Sequence, residues 1–148
     1  MDSDTQNNDF NLAIKNLFHG EIMERVSAAI TLGHLKEGRA INLLIKALKS
    51  EKDPVVINRI IEAIGEIKDA KATMGIIEFL KLELQKPEKE QDKSRLFIII
   101  ESLMKIGDKR ALEHLGILLD SCHSDIRKLT EEAFECIDPN WKRNLKNN

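Results

Sequence analysis

The stretch EIMERVSAAITLG, residues 21–33, recurs at residues 53–65 as DPVVINRIIEAIG, an offset of 32 residues (53 − 21 = 32). A third copy begins at Asp92, and a fourth ends at residues 137–139. One position of the first helix marks all four copies, with spacings of 32, 39 and 31 residues: Arg25, Ile57, Leu96 and Arg127. The chain therefore repeats one unit of about 32 residues.

Each copy has the pattern of two amphipathic helices. Ile41, Leu44, Ile45 and Leu48 recur at i, i+3, i+4 and i+7, which defines one buried stripe on a second helix. The β-branched run at residues 96–100 falls inside the same repeated pattern, so it is assigned to a helix. Since no single unit of this size buries its own apolar face, neighbours must stack. We expect an all-α fold, an α-α superhelix (solenoid) of about four helical-hairpin repeats.

Single residues predict how the helices begin, cross and connect. Asp53 is expected to cap a helix whose first turn holds Pro54, where the missing N–H costs nothing. Gly33, near the end of a first helix, predicts a close helix crossing. The charged segment 85–91 predicts an extended, solvated loop and accounts for the spacing of 39 residues.

The predicted domain organisation is one domain with short tails. Residues 1–8 are expected to be a disordered tail, residues 9–141 a single domain, and residues 142–148 a frayed end. Residues 9–18 are predicted to be an unpaired second helix that caps the first full unit. Trp141 is predicted to cover the last helix as a hydrophobic plug.

Composition argues against several partners. Lysine plus arginine number 23 against 25 aspartate plus glutamate, so a net charge of −2 provides no global field for nucleic acid. The polar, acidic start and the lack of an apolar run of about 20 residues predict neither a secretory signal nor a membrane partner. Two cysteines without a CxxC pair fit a reducing compartment, so we expect a cytoplasmic protein.

Two segments carry a family resemblance. LGHLKEGRA at residues 32–40 and IGDKRA at residues 106–111 resemble the Leu-Gly-x-Leu-Gly-Asp-x-Arg-Ala pattern of short HEAT-like repeats, the type shared with phycobilisome lyases. The resemblance implies Asp–Arg contacts between repeats and second helices that line the concave side. The basic residue of the first helix is kept only as Arg25 and Arg127, so that ladder of contacts is expected to be incomplete.

The sequence offers no catalytic constellation. In the similar HEAT-repeat enzyme deoxyhypusine hydroxylase, iron is held by repeated His-Glu dipeptides, and none occurs here. Cys136, beside Ile137 on an apolar face, is predicted to be a small core residue. We therefore predict no catalytic residue, no metal ligand and no cofactor, and expect a protein that is not an enzyme.

The predicted functional surface is the outward face of the second helices. It would hold a peptide or helix of another protein, using lysines at one end, acids at the other and exposed apolar side chains between. Its twelve residues are Asn11, Lys15, Phe18, Asn42, Lys46, Lys49, Met74, Glu78, Lys81, Glu113, Ile117 and Asp120.

The sequence predicts a non-catalytic protein-binding scaffold or adaptor. The alternative is an enzyme or accessory subunit related to HEAT-repeat lyases and hydroxylases, acting on a tetrapyrrole or a modified lysine. A third hypothesis is that the chain pairs with itself or with a larger solenoid through its end faces.

Overall fold

The computed structural model describes residues 3–146 of the chain as helices joined by short turns. No strand occurs among these residues, which confirms the all-α prediction. The α-helices are α1 Ser3–His19, α2 Ile22–Leu35, α3 Ile41–Ser50, α4 Pro54–Ile67, α5 Thr73–Leu84, α6 Lys93–Ile106, α7 Leu112–Leu115, α8 Ser124–Ile137 and α9 Trp141–Lys146. Short 3-10 helices lie at Gly38–Ala40, Ala70–Ala72, Glu88–Glu90, Lys109–Ala111 and Gly116–Asp120.

The first helices of the repeats follow the predicted spacing. Helices α2, α4, α6 and α8 each have 14 residues and begin at residues 22, 54, 93 and 124. These starts differ by 32, 39 and 31 residues (54 − 22, 93 − 54, 124 − 93). The run at residues 96–100 lies inside α6, as its flanking pattern predicts.

The helices form two compact units, Met1–Ala72 and Thr73–Asn148. In the first unit α1 packs on α2, α2 packs on α4, and α3 contacts both α1 and α4. In the second unit α5 packs on α6, α6 packs on α8, and α7 contacts α5 and α8. Each unit buries its own apolar residues, and a single domain over residues 9–141 stays a prediction.

Small residues bring α2 and α4 close together. A Cβ atom on Gly33 would lie 3.0 Å from the Cα and 3.2 Å from the Cβ of Ala63. Ala29 of α2 and Ile60 and Ile64 of α4 are fully buried in this unit. The close crossing predicted from Gly33 is therefore confirmed.

Capping side chains fix where the helices begin. The Asp53 carboxylate accepts hydrogen bonds from the backbone N–H groups of Val55 at 2.9 Å and Val56 at 3.1 Å. Pro54 is the first residue of α4 and has no N–H to satisfy. The predicted start of this helix is confirmed.

Each loop that enters a new first helix is held by one acceptor side chain. That side chain accepts the backbone N–H of the N-cap residue, so it satisfies a donor that the helix leaves unpaired. The acceptor and donor pairs are Glu51 with Asp53 at 3.1 Å, Glu83 with Asp92 at 2.8 Å, and Ser121 with His123 at 3.2 Å.

Acidic side chains also fix the turns before the second helices. Asp69 accepts the backbone N–H of Lys71 at 2.9 Å, and Asp108 accepts that of Arg110 at 3.0 Å. The Arg110 guanidinium also bonds Asp108 at 2.6 Å, and this contact holds the pKa of Asp108 down at about 2. The acidic residue of the repeat pattern thus stabilises its own turn here.

The N-terminal helix is longer than the sequence predicts. Residues 3–8, expected in a disordered tail, belong to α1, while residues 1–2 lie outside the described residues. The Arg39 guanidinium donates to the Asn7 side chain at 3.0 Å and lies 3.7 Å from the Phe10 ring centroid. These contacts tie the first turns of α1 to the 3-10 helix before α3.

The C-terminal end is closed by Trp141. Its side chain is buried, its ring centroid lies 5.0 Å from that of Phe134, and its indole N–H donates to Glu135 at 2.7 Å. The predicted hydrophobic plug is confirmed. Residues 142–146, expected to be frayed, continue α9, and residues 147–148 lie outside the described part.

The inserted segment 85–91 is solvated as predicted, but it is not extended. Residues 88–90 form a 3-10 helix, and the Glu88 carboxylate accepts the backbone N–H of Cys122 at 2.8 Å. The Gln91 side chain donates to the Lys86 carbonyl at 3.0 Å. The segment folds back because its polar side chains find backbone partners within the second unit.

The close crossing predicts a sharp contrast between two glycines in helix interiors. Gly33→Leu should lower the free energy of unfolding by about 1 to 3 kcal/mol, because its Cβ meets the backbone of Ala63. Gly75→Leu, where nothing lies within 4 Å of the added Cβ, should be neutral or stabilise by up to about 1 kcal/mol. Urea denaturation of the two variants measures both effects. Equal midpoints would contradict the observed helix spacing.

Candidate protein-binding surface

The structure places the twelve predicted surface residues on solvent-accessible faces. All are exposed except Phe18, which is half-buried. In the first unit Asn11, Lys15 and Phe18 belong to α1, and Asn42, Lys46 and Lys49 belong to α3. In the second unit Met74, Glu78 and Lys81 belong to α5, Glu113 to α7, and Ile117 and Asp120 to the following 3-10 helix.

Lysines gather around Phe18 in the first unit. The Lys46 ammonium lies 5.7 Å from the centroid of the Phe18 ring, within cation–π range. Lys15 precedes Phe18 by three residues on α1, and Lys49 follows Lys46 by three on α3, so each shares a helix face with that contact. Together with Lys52, these lysines and Phe18 are called the basic surface below.

A groove of about 280 Å³ opens beside Phe18. Four of its seven lining residues are polar or charged, Lys52 among them, and the apolar Leu17 and Ala47 are buried. The sequence did not predict the groove or Lys52, because Lys52 lies in the loop after α3 and outside any helical stripe. The complete lining is Leu17, Phe18, Arg25, Ala47, Ser50, Glu51 and Lys52.

An internal ion pair forms the polar wall of this groove. Arg25 donates from Nε to Glu51 Oε2 at 2.9 Å, from Nη2 to Oε1 at 3.2 Å, and from Nη1 to the Gly20 carbonyl at 2.8 Å. Burial alone would raise the pKa of Glu51, but hydrogen bonds from Arg25 and from the backbone of Asp53 and Lys52 outweigh it and lower that pKa. Arg25 and Glu51 therefore neutralise each other.

The lysines of the basic surface have no such partner. Within residues 3–146, no carboxylate lies within 4 Å of the ammonium of Lys15, Lys46, Lys49 or Lys52. Their charge is consequently available to a ligand.

The face of the second unit is mixed. Lys81 lies 3.5 Å from Glu78, so its charge is shared within α5. Met74 is 39% exposed and Ile117 is 65% exposed. Helix α7 ends at Leu115, where Gly116 lowers helix propensity, and Ile117 projects from the 3-10 helix that follows.

The prediction for Cys136 is wrong. Both Cys122 and Cys136 are exposed. The buried stripe of α8 passes through Ala133, Phe134 and Ile137, and Cys136 lies about 100° around the helix from Ile137. A neighbouring apolar residue in sequence thus did not place Cys136 on the apolar face.

The described residues contain neither a metal-binding cluster nor a membrane-spanning helix. No group of three or more His, Cys, Asp or Glu side chains in residues 3–146 is arranged to hold a metal ion. In the same part of the chain, no helix is both long enough and apolar enough to cross a membrane.

Comparison with known families matches residues 24–50 to the family described as PBS lyase HEAT-like repeat. The matched residues contain most of α2, the 3-10 helix Gly38–Ala40 and α3, and so Arg25, Lys46 and Lys49. The resemblance drawn from LGHLKEGRA is confirmed.

Solved structures show the same fold. The chain is similar to a chain of the complex of CpcE and CpcF of phycocyanin lyase from Nostoc sp. PCC7120, with a TM-score of 0.55 and 21% identity. The likeness covers 88% of this chain and 65% of that chain, so the protein spans about two thirds of its neighbour's length. No curated protein matches the sequence. The predicted class of HEAT-like α-solenoid is confirmed.

Because both cysteines are exposed, we expect both thiols to react with a reagent in solution. Two thiols per chain should react with Ellman's reagent in the native protein, without denaturant. A hydrogen bond to Glu88 raises the pKa of the Cys122 thiol, and the thiolate is the form that reacts. Glu88→Gln should therefore increase the rate at which Cys122 reacts at about pH 8. Mass spectrometry of the labelled peptides separates the two sites.

The matched control for the thiol experiment is Glu90→Gln, in the same exposed turn, which should leave both rates unchanged. Labelling of Cys122 alone in the native state would show that Cys136 is buried, against the observed structure.

Proposed function

We propose that the chain is a non-catalytic subunit that binds a partner protein through the exposed faces of its second helices. The observation that carries this proposal is the basic surface of the first unit. There Lys46 lies beside the half-buried Phe18 ring, and Lys52 lines an open groove next to the same ring. Charge that no internal carboxylate neutralises, beside accessible apolar area, favours binding of another molecule over a purely solvated face.

The second candidate is a more specific form of the same role, an accessory subunit of a lyase-type enzyme that handles a tetrapyrrole. It is supported by the match of residues 24–50 to the PBS lyase HEAT-like repeat, which includes Lys46 and Lys49 of the basic surface. The lyase complex that the fold resembles contains two protein chains, which also favours work with a partner protein. In this form, the partner would be a second subunit of the enzyme.

Capture from native cell extract tests the protein-binding proposal. The variant carrying Lys15→Glu, Lys46→Glu, Lys49→Glu and Lys81→Glu should lose a protein that the wild type retains, because four cations on the second-helix faces become anions. Quantitative mass spectrometry of the captured proteins measures the loss.

The matched control for the capture experiment changes four other exposed lysines, Lys71, Lys89, Lys109 and Lys128, to glutamate. It alters net charge equally and should retain the same protein. If both variants capture the same proteins as the wild type, the second-helix faces do not bind a partner.

Absorption spectroscopy tests the tetrapyrrole candidate separately. Purified protein is mixed with a linear tetrapyrrole, and its visible absorption and induced circular dichroism are recorded. If the chain is such an accessory subunit, the pigment's spectrum should change on mixing. The control variant with Lys71, Lys89, Lys109 and Lys128 changed to glutamate should keep this spectral change, and the Lys46→Glu, Lys49→Glu variant should lose it. Spectra identical to those of the free pigment would exclude pigment binding by this chain alone and leave protein binding standing.

A further inference from the structure

We infer that the partner of the basic surface is an acidic protein segment that carries one bulky apolar side chain between its carboxylates. The inference rests on the proposed function and specifies the chemistry of the partner. Three features of the first unit support it: uncompensated charge, an apolar anchor point and the lack of a competing internal acid.

The charge at this surface calls for an anionic partner. Lys15, Lys46, Lys49 and Lys52 are all exposed and belong to the adjoining helices α1 and α3 or to the loop after α3. Complementary charge across an interface speeds encounter and excludes like-charged partners. An acidic segment is therefore preferred over a neutral or basic one.

The acid that lines the groove of the basic surface is already engaged. Glu51 lines the same groove as Lys52, but its oxygens accept hydrogen bonds from Arg25 and from the backbone N–H groups of Lys52 and Asp53. Its side chain is only 8% exposed. Glu51 thus cannot turn outward to the lysines without breaking the loop that starts α4.

An apolar side chain of the partner has a defined place. Phe18 is half-buried and leaves part of its ring accessible beside Lys46, whereas Leu17 and Ala47, which line the adjoining groove, are buried. The Ser50 hydroxyl donates a hydrogen bond to the Ala47 carbonyl at 3.3 Å, so its hydrogen-bond donor is already paired within α3. The accessible part of the Phe18 ring is therefore the apolar contact point for the partner, and the groove beside it is walled mainly by polar side chains.

The same features favour protein over nucleic acid. A phosphate backbone is matched by an extended basic track, and its affinity comes largely from many lysine and arginine contacts. Here the unpaired lysines of the basic surface lie on α1, α3 and one loop, and one of them, Lys46, contacts the aromatic ring of Phe18. A few lysines beside one aromatic ring correspond better to a short protein motif.

Fluorescence anisotropy with synthetic probes tests this inference. The probe is a labelled short peptide in which glutamates flank one central phenylalanine. It should bind the full chain, weaken as salt rises, and bind the Lys46→Glu, Lys49→Glu variant at least about tenfold less tightly. Phe18→Ala should also weaken it, whereas the control Lys71→Glu, Lys109→Glu should change affinity by less than about twofold.

Three outcomes would overturn the inference. One is equal affinity of the wild type and the Lys46→Glu, Lys49→Glu variant, with circular dichroism showing that both are folded. Another is equal affinity for a peptide in which lysines replace the glutamates. The third is tighter, equally lysine-dependent binding of a single-stranded oligonucleotide, which would assign the surface to nucleic acid.

A failure of this inference is distinguishable from a failure of the proposed function. If a native partner survives Lys46→Glu, Lys49→Glu but is lost from a Met74→Ser, Ile117→Ser variant, the protein still binds a partner, but through the apolar face of the second unit. That result would overturn the acidic-segment inference and leave the proposed function standing.

Discussion

The close contact of α2 with α4 at Gly33 and Ala63 is the constraint on which the first unit depends. Helices of 10 to 17 residues in this unit cannot bury an apolar face alone, so each must lie against a neighbour. Helix α1 packs on α2, and α3 packs on α4. Because α2 and α4 approach closely, α1 and α3 also come into contact with each other. The position of Lys46 over Phe18 follows from that packing.

The loops convert this packing into a defined surface. Arg25 and Arg127 occupy equivalent positions, and each donates to a carbonyl just before its own helix, Gly20 at 2.8 Å and Ser121 at 2.7 Å. In the middle units the same position holds Ile57 and Leu96, which are buried. One repeat position is therefore filled either by a cation that fixes a loop or by an apolar side chain that extends the core. The consequence for function is that Arg25 is neutralised internally, which leaves the lysines as the available cations of the first unit.

The sequence predicted the repeat spacing, the helix starts and the buried stripes because these follow from local periodicity and capping. It also predicted which second-helix residues are exposed, since exposure is set by the same periodicity. It missed features that depend on contacts between distant residues. Helical residues 3–8 depend on Arg39, the folded segment 85–91 depends on Cys122, and the groove beside Phe18 depends on the Arg25–Glu51 pair. The prediction for Cys136 failed for a different reason. It relied on the apolar neighbour Ile137, although the helical periodicity of α8 places Cys136 off the buried stripe.

A HEAT-like fold by itself specifies no activity, so function must be argued from its surfaces. The central claim is that the basic surface of the first unit is covered by another protein in the cell. Lysine reactivity measures this most directly: the exposed lysines are methylated in native extract and again in the purified protein, and each site is quantified by mass spectrometry. If the surface is covered, Lys15, Lys46, Lys49 and Lys52 react less in extract than in the purified protein, while Lys71 and Lys109 react equally. Equal reactivity at all six lysines, or protection only at Lys71 and Lys109, would contradict this claim.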